Sequence, residues 1–173
     1  MRKILVVVDM QNDFIDGALG TPEAVAIVEN VKARIREYDK ADVFVTMDTH
    51  FPEYLQTQEG RNLPVEHCIK GTEGWQIRSD IAELLTDAHV YEKPTFGSVA
   101  LAKDIAEIAA KEEIEIEVLG LCTDICVVSN ALLLKANMPE VKITVDHTCC
   151  AGVTLESHEA ALMTMQMCQI GIV

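Results

Sequence analysis

The chain has 173 residues, of which 49% are hydrophobic and only 5% aromatic. This length and apolar content predict a single domain, residues 1–173, with an aliphatic core. The formal net charge of -14 argues against binding to nucleic acid and to anionic membrane surfaces. No apolar run is long enough to span a bilayer, so we expect no membrane association and a small-molecule substrate.

The N-terminus and the cysteines indicate a cytoplasmic protein. The first apolar run stops at Asp9, too early for a secretory signal peptide. The cysteines fit neither a zinc ribbon nor a redox CxxC pair, and a chain of this size does not need disulfides. We therefore expect reduced thiols in a cytosol.

The first half of the chain predicts a strand, a helix, a second strand and a long loop. Residues 4–8 are an unbroken apolar run, typical of a strand buried on both faces of a parallel sheet. Thr21 followed by proline predicts a helix N-terminus, and the helical periodicity continues to about residue 38. Residues 42–47 form the next predicted strand. The polar segment 49–74 is long for a loop, and such loops are usually functional.

The second half alternates between the two kinds of element. Helices are predicted at 75–85, 98–111, 124–136 and 154–167, and strands at 90–91, 114–121, 141–145 and 170–173. Alternating strands and helices of this size predict an α/β fold, with helices on both faces of a parallel sheet.

Chemistry-bearing residues follow the predicted strands. Asp9, Asp48, Lys93 and the run Cys122–Cys126 all lie at or just after strand ends. Because active sites of parallel sheets lie at the carboxyl ends of the strands, we expect these residues to converge there.

A thiol, a lysine and an aspartate at one edge predict nucleophilic catalysis. Cys126 is the candidate nucleophile, Lys93 would lower its pKa, and Asp9 would carry the proton. The backbone N–H groups of Cys122 and Cys126 are the candidate oxyanion hole. Each residue alone has an ordinary structural interpretation: a core thiol, a surface lysine or a turn aspartate. Their joint placement favours function.

Four segments, taken in order, resemble motifs of the isochorismatase-like cysteine hydrolases. They are Val8–Phe14, Lys93–Ser98, Gly120–Val127 and Asp146–Gly152. The resemblance covers essentially the whole chain. It implies a three-layer α/β/α fold with a mainly parallel sheet of about six strands, and a triad of Asp9, Lys93 and Cys126. It also implies a cis peptide bond at Cys122–Thr123. Cys122 departs from the family pattern, in which many members carry alanine or another small residue, and we interpret it as packing around the oxyanion hole and not as a second nucleophile.

The long loop contains candidate metal ligands. Asp48 and His50 are alternate residues at a strand end and can face one way. By themselves, these two and a distant His67 fit a solvated loop better than a metal site. Resemblance to the nicotinamidase/pyrazinamidase branch implies a divalent metal, zinc with iron or manganese as alternatives, on Asp48, His50, Glu59 and His67. Glu53 and Glu66 compete with Glu59. No organic cofactor is expected.

The resemblance also implies a reaction. We expect hydrolysis of nicotinamide to nicotinate and ammonia through a thioester on Cys126, with the metal binding the pyridine nitrogen. Phe14, Trp75 and Phe96 are candidate walls for a flat ring, although each could equally serve the core. A carbamoyl or ureido substrate is the alternative within the family, and a catalytically silent binding domain is a third hypothesis. Relatives imply a homo-oligomer.

Overall fold

A computed structural model describes residues 1–173 and contains six strands. They are β1 (Arg2–Val8), β2 (Val43–Asp48), β3 (His89–Lys93), β4 (Ile114–Leu121), β5 (Lys142–Ala151) and β6 (Gly171–Ile172). All neighbours pair in parallel, in the order β3-β2-β1-β4-β5-β6. Helices lie on both sides of the sheet, which confirms the predicted three-layer α/β/α fold.

Eight α-helices connect or follow the strands. They are α1 (Asn12–Ile15), α2 (Pro22–Ala26), α3 (Val28–Ile35), α4 (Gln58–Asn62), α5 (Ser79–Ala82), α6 (Val99–Ala109), α7 (Val128–Asn137) and α8 (Leu155–Met167). Three helices have an N-terminal side chain that accepts a hydrogen bond from a backbone N–H group, as the sequence predicts. These caps are Thr21 for α2, Ser98 for α6 and Thr154 for α8. None of the helices has the length and apolar character needed to cross a membrane.

The core is aliphatic and centred on the inner strands. Residues Ile4 to Val8 of β1 have no exposed surface, and every residue of β2 is buried. Strands covered on both faces read as continuous apolar runs, which is why their sequences predicted them well.

Two helices differ from prediction. The helix expected over residues 21–38 is divided at Ile27, whose N–H bonds to Val25 O and interrupts the regular i→i−4 pattern. Of the helix expected over 75–85, only α5 forms. The residues before it are tied to the segment between β1 and α1, since the Arg78 N–H donates to Met10 O at 3.0 Å.

Strand β5 is longer than the predicted segment 141–145. A register shift near Gly120 lets the pairing of β4 and β5 resume, with Gly120 opposite Cys150 and Leu121 opposite Ala151. The sequence did not predict this extension, because polar residues between Val145 and Cys150 interrupt the apolar run.

The strand order determines where a site can form. The chain runs outward from β1 to β3 and then returns to place β4 on the other side of β1. Ligands of open parallel sheets bind at such a reversal of strand order, outside the carboxyl ends of the strands. The register sets Val8 opposite Gly120 and Asp48 opposite Lys93, so the residues after these strands share one edge.

Candidate active site

Three side chains distant in sequence meet at the carboxyl ends of the central strands. Lys93 Nζ lies 2.7 Å from Asp9 Oδ2 and 3.4 Å from Cys126 Sγ. All three residues are buried, with exposures of 0% for Asp9, 1% for Lys93 and 4% for Cys126. The structure thus brings together the three residues expected to form a triad.

Asp9 is held by the neighbouring strand. Its N–H donates to Thr46 O at 3.2 Å, and the Thr46 hydroxyl donates to Asp9 Oδ1 at 2.6 Å. The residue has φ of +48°, a left-handed conformation uncommon for aspartate and often found at functional sites. With Oδ1 engaged by Thr46, Oδ2 is the oxygen that contacts Lys93.

Cys126 lies in a single π-helical turn, Thr123–Val127, between β4 and α7. Val127 N–H donates to Cys122 O at 3.0 Å, the wide spacing of a π turn. Such turns occur frequently at functional sites. The expected α-helical start at Asp124 is therefore replaced by a π turn, and regular helix begins at Val128.

The cis peptide bond expected at Cys122–Thr123 is instead at Leu121–Cys122. The prediction counted back from the threonine. In the structure the cis bond is one residue earlier, between Leu121, the last residue of β4, and Cys122.

Gly120 allows the end of β4, which leads into the π turn of Cys126, to approach β1. Its φ is +120°, and a Cβ at this position would clash with the backbone of Val8. Only glycine fits both conditions. The close approach brings the end of β4 next to Asp9, which directly follows Val8.

One expected oxyanion donor is free. The Cys122 N–H has no acceptor within the chain, and Cys122 lines the same cavity as Cys126. An unpaired backbone donor beside a nucleophile is the kind of group that stabilises a developing oxyanion.

Lys93 acts on the pKa of the Cys126 thiol in the expected direction, but burial outweighs it. Burial raises the pKa of the Cys126 thiol well above its usual value; the charge of Asp9 adds to this effect and Lys93 opposes it. Lys93 thus lowers the thiol pKa, but by less than burial and Asp9 raise it, and a nearby base would help to remove the thiol proton. Burial also raises the pKa of Asp9, which suits a carboxylate to accepting that proton.

The four expected metal ligands lie beside the triad. Asp48 ends β2, His50 and His67 belong to the following loop, and Glu59 is in α4. Their ligand atoms all lie within 4.8 Å of one another. The competing carboxylates, Glu53 and Glu66, are not part of this group.

The spacing and chemistry of this group fit a divalent cation. His50 Nε2 is 3.0 Å from Asp48 Oδ2 and 3.5 Å from Glu59 Oε1, and His67 Nε2 is 3.4 Å from Asp48 Oδ2. Donors about 2 Å from a shared ion lie roughly this far apart. Burial lowers the pKa of His50, but Asp48 and Glu59 outweigh it and raise that pKa to about 9. The two carboxylates therefore attract positive charge.

Two residues for which the sequence predicted no role hold the loop that contains His50 and His67. The Gln11 side-chain amide accepts from Asp48 N–H and donates to Asp48 O, both at 2.8 Å. Asp13 Oδ2 accepts the N–H of Cys68, the residue after His67, at 2.7 Å. Both belong to the motif Val8–Phe14, whose alternate polar residues were the signal available in the sequence.

A narrow cavity opens beside the sulfur and the metal group. Phe14 and Phe96 line it, as expected, together with Leu19, Asp48, Glu59, Leu63, His67, Cys122, Ile125 and Cys126. The structure does not bring Trp75 to this cavity. Its indole N–H donates to Thr49 Oγ1 at 3.0 Å, and its carbonyl accepts from Gln11, so Trp75 anchors the loop.

Comparison with known proteins agrees with this geometry. The family model described as the isochorismatase domain matches residues 3–172. The chain belongs to the isochorismatase family. The resemblance drawn from the four sequence motifs is thereby confirmed.

Individual relatives within the isochorismatase family point to one branch. A nicotinamidase/pyrazinamidase of Mycobacterium tuberculosis is 25% identical, covering 99% of this chain and 98% of the relative. An uncharacterized isochorismatase family protein of Bacillus subtilis is 31% identical, covering 94% and 93%. The crystal structure of a Pyrococcus horikoshii pyrazinamidase in complex with zinc has a TM-score of 0.84 at 27% identity, covering 100% of this chain and 99% of that one.

Proposed function

We propose that this protein is a cysteine-dependent amidohydrolase that converts nicotinamide to nicotinate and ammonia. The observation that carries the proposal is the shared cavity: the Cys126 sulfur and three members of the metal-ligand group, Asp48, Glu59 and His67, line the same space. Relatives named nicotinamidase and pyrazinamidase, similar over nearly the whole chain, support the amide class of substrate.

The first half of the proposed reaction forms a thioester. Asp9 takes the Cys126 proton, and the sulfur attacks the carboxamide carbon to form a C–S bond. The resulting oxyanion accepts hydrogen bonds from the backbone N–H groups of Cys122 and Cys126. Asp9 then gives its proton to the nitrogen, the C–N bond breaks and ammonia leaves.

The second half releases the acid. Asp9 removes a proton from water, the hydroxide attacks the thioester carbon, and the C–S bond breaks. The sulfur recovers a proton, which restores the buried thiol. Lys93 keeps its positive charge throughout: burial lowers its pKa, but Asp9, Cys126 and Asp48 outweigh burial and raise it.

The metal has a binding role in this proposal. Asp48, His50, Glu59 and His67 would hold a divalent ion, which would bind the pyridine nitrogen and orient the ring. Zinc is the proposed metal because the similar Pyrococcus horikoshii structure contains it. Phe14 and Phe96 would pack against the ring faces or edges.

The experiment is ammonia release from nicotinamide by zinc-loaded protein, with Cys126→Ala as the test variant. Cys168→Ala, which removes an exposed cysteine, is the matched control. We expect turnover by the wild type and the control and none by Cys126→Ala. A wild-type protein that ignores nicotinamide but hydrolyses a ureido acid would contradict the substrate and support the alternative; one inert toward every amide would favour a binding domain.

The assembly, the location and the domain organisation stay predictions. We propose a single-domain homo-oligomer that acts in the cytoplasm on a small molecule. Light scattering of the purified protein tests the oligomeric state, and a single cooperative unfolding transition tests the single domain.

A further inference from the structure

A buried asparagine links two segments that line the proposed substrate cavity. Asn130 on α7 is 1% exposed. Its Oδ1 accepts the N–H of Ser98 at 2.9 Å, and its Nδ2 donates to Phe96 O at 3.1 Å and to Cys126 O at 2.8 Å. The carboxamide therefore uses its oxygen and both of its N–H groups, which is the condition for burying it without penalty.

The three partners of Asn130 belong to two different segments. Cys126 is in the π turn after β4, whereas Phe96 and Ser98 are in the connection between β3 and α6. Phe96 and Cys126 line the same cavity. The Asn130 side chain thus links the π turn that carries Cys126 to the connection that carries Phe96.

Lys93 is the last residue of β3, just before this connection, and is held independently of Asn130. Its ammonium contacts Asp9 at 2.7 Å and Asp48 at 3.4 Å. Loss of the Asn130 bridge would therefore loosen Phe96 while leaving Lys93 near the sulfur.

We propose that Asn130 is a positioning residue that sets the separation between Phe96 and the Cys126 turn, and so the fit of a flat ring. The proposal rests on the amidohydrolase function above. It predicts that Asn130 acts on substrate binding more than on the chemical step, because the triad contacts do not depend on it.

Three variants separate this role from general stability. Asn130→Ala removes the bridge. Because a buried hydrogen-bond bridge is lost, we expect KM for nicotinamide to rise about tenfold. We expect kcat to stay within about threefold of the wild-type value. Asn130→Thr can still bond to the i−4 carbonyl of Cys126, so it keeps the helix link without the link to Phe96. We expect its KM to match that of Asn130→Ala.

Asn137→Ala is the matched control. Asn137 is on the same helix and also donates to its i−4 carbonyl, Leu133 O, at 2.8 Å, but it is exposed and contacts neither Phe96 nor Ser98. Its KM should equal the wild-type value. An equal rise in the control, or a fall in kcat at unchanged KM for Asn130→Ala, would overturn the proposal.

A double-mutant cycle with Phe96→Ala tests the route of the effect. If Asn130 acts through Phe96, Asn130→Ala should change KM by less than about twofold once the phenyl ring is gone. Independent, multiplicative effects of the two substitutions would contradict a route through Phe96.

Hydrogen exchange at the Ser98 amide tests the bridge without substrate. We expect faster exchange in Asn130→Ala and Asn130→Thr but not in Asn137→Ala. That result supports the bridge even if the wild type is inert toward nicotinamide, which would contradict only the proposed function. Unchanged Ser98 exchange would overturn the bridge whatever the activity.

Discussion

The ammonium of Lys93 lies 3.4 Å from the sulfur of Cys126, although 33 positions separate the two residues. The same ammonium is the ion-pair partner of Asp9. One buried cation is thus shared by the proposed nucleophile and the proposed proton carrier, and three strand ends must be in register for this to occur. The proposed function depends on that arrangement.

Lys93→Met should lower kcat for nicotinamide by at least about 100-fold, because it removes the only charge that offsets burial at Cys126 and Asp9. Circular dichroism would confirm folding, and steady-state ammonia release measures the loss. Lys103→Met, at an exposed lysine on α6, is the control and should retain wild-type rates. Comparable activity in both variants would remove Lys93 from the mechanism.

His67→Ala should weaken metal binding by at least about 100-fold, since losing even a partner outside the coordination shell costs roughly 10- to 100-fold. Elemental analysis after dialysis against a chelator measures the retained metal. His89→Ala, at an exposed histidine on β3, should bind metal as the wild type does. A His67 variant that keeps a full complement of metal would show that this residue is not a ligand.

Gly120→Ala should destabilise the protein by more than about 3 kcal/mol, because the new Cβ meets the Val8 backbone and φ is +120°. Gly71→Ala is the matched control: its φ is +87°, but no atom lies within 4 Å of the added Cβ. Only the left-handed conformation opposes that substitution, at about 1–2 kcal/mol. Urea unfolding compares the two, and equal losses would show that β4 can move away from β1.

Asp146→Asn should cost about 1–3 kcal/mol near pH 7 and less in acid. Burial tends to raise the pKa of Asp146, but hydrogen bonds that include those from Thr148 and Arg34 outweigh it and hold that pKa below its usual value. A carboxyl whose pKa is lower in the folded state stabilises the fold above its unfolded pKa, and this stabilisation is lost as pH falls through the folded pKa.

Urea unfolding of wild type and Asp146→Asn between about pH 7 and pH 3 measures this effect. The difference between them should shrink as the pH falls below about 4, the usual range of an aspartate pKa. Asp39→Asn, at an exposed aspartate, should show no difference at either pH. A cost that stays constant down to pH 3 would mean that the Asp146 charge does not stabilise the fold.

The sequence predicted the inner strands and the triad because both leave local signals. Residues 4–8 and 114–121 are continuous apolar runs, and the polar residues that follow them stand out. The helix over 75–85 was predicted wrongly because long-range bonds, such as Arg78 to Met10, override local periodicity. The end of β5 was missed because polar residues separate it from the apolar run, and because its pairing with β4 resumes only after a register shift.

The candidate site was predicted less completely than the fold. The metal-ligand group could be proposed only through family resemblance, since its four members are spread over loop residues with no shared period. Gln11 and Asn130 were missed because single amides in a sequence carry no signal of their three backbone partners. The raised pKa of Cys126 was also missed, because it depends on burial that a sequence motif does not measure.

Trapping the acyl-enzyme is the most direct test of the account. Zinc-loaded protein mixed with nicotinamide and quenched in acid should carry a nicotinoyl group in place of one hydrogen, and peptide mass spectrometry should locate it on Cys126. Cys122→Ala should give the same adduct, and Cys126→Ala none. An active enzyme that never carries an adduct, or that carries it on another residue, would contradict the proposed thioester on Cys126.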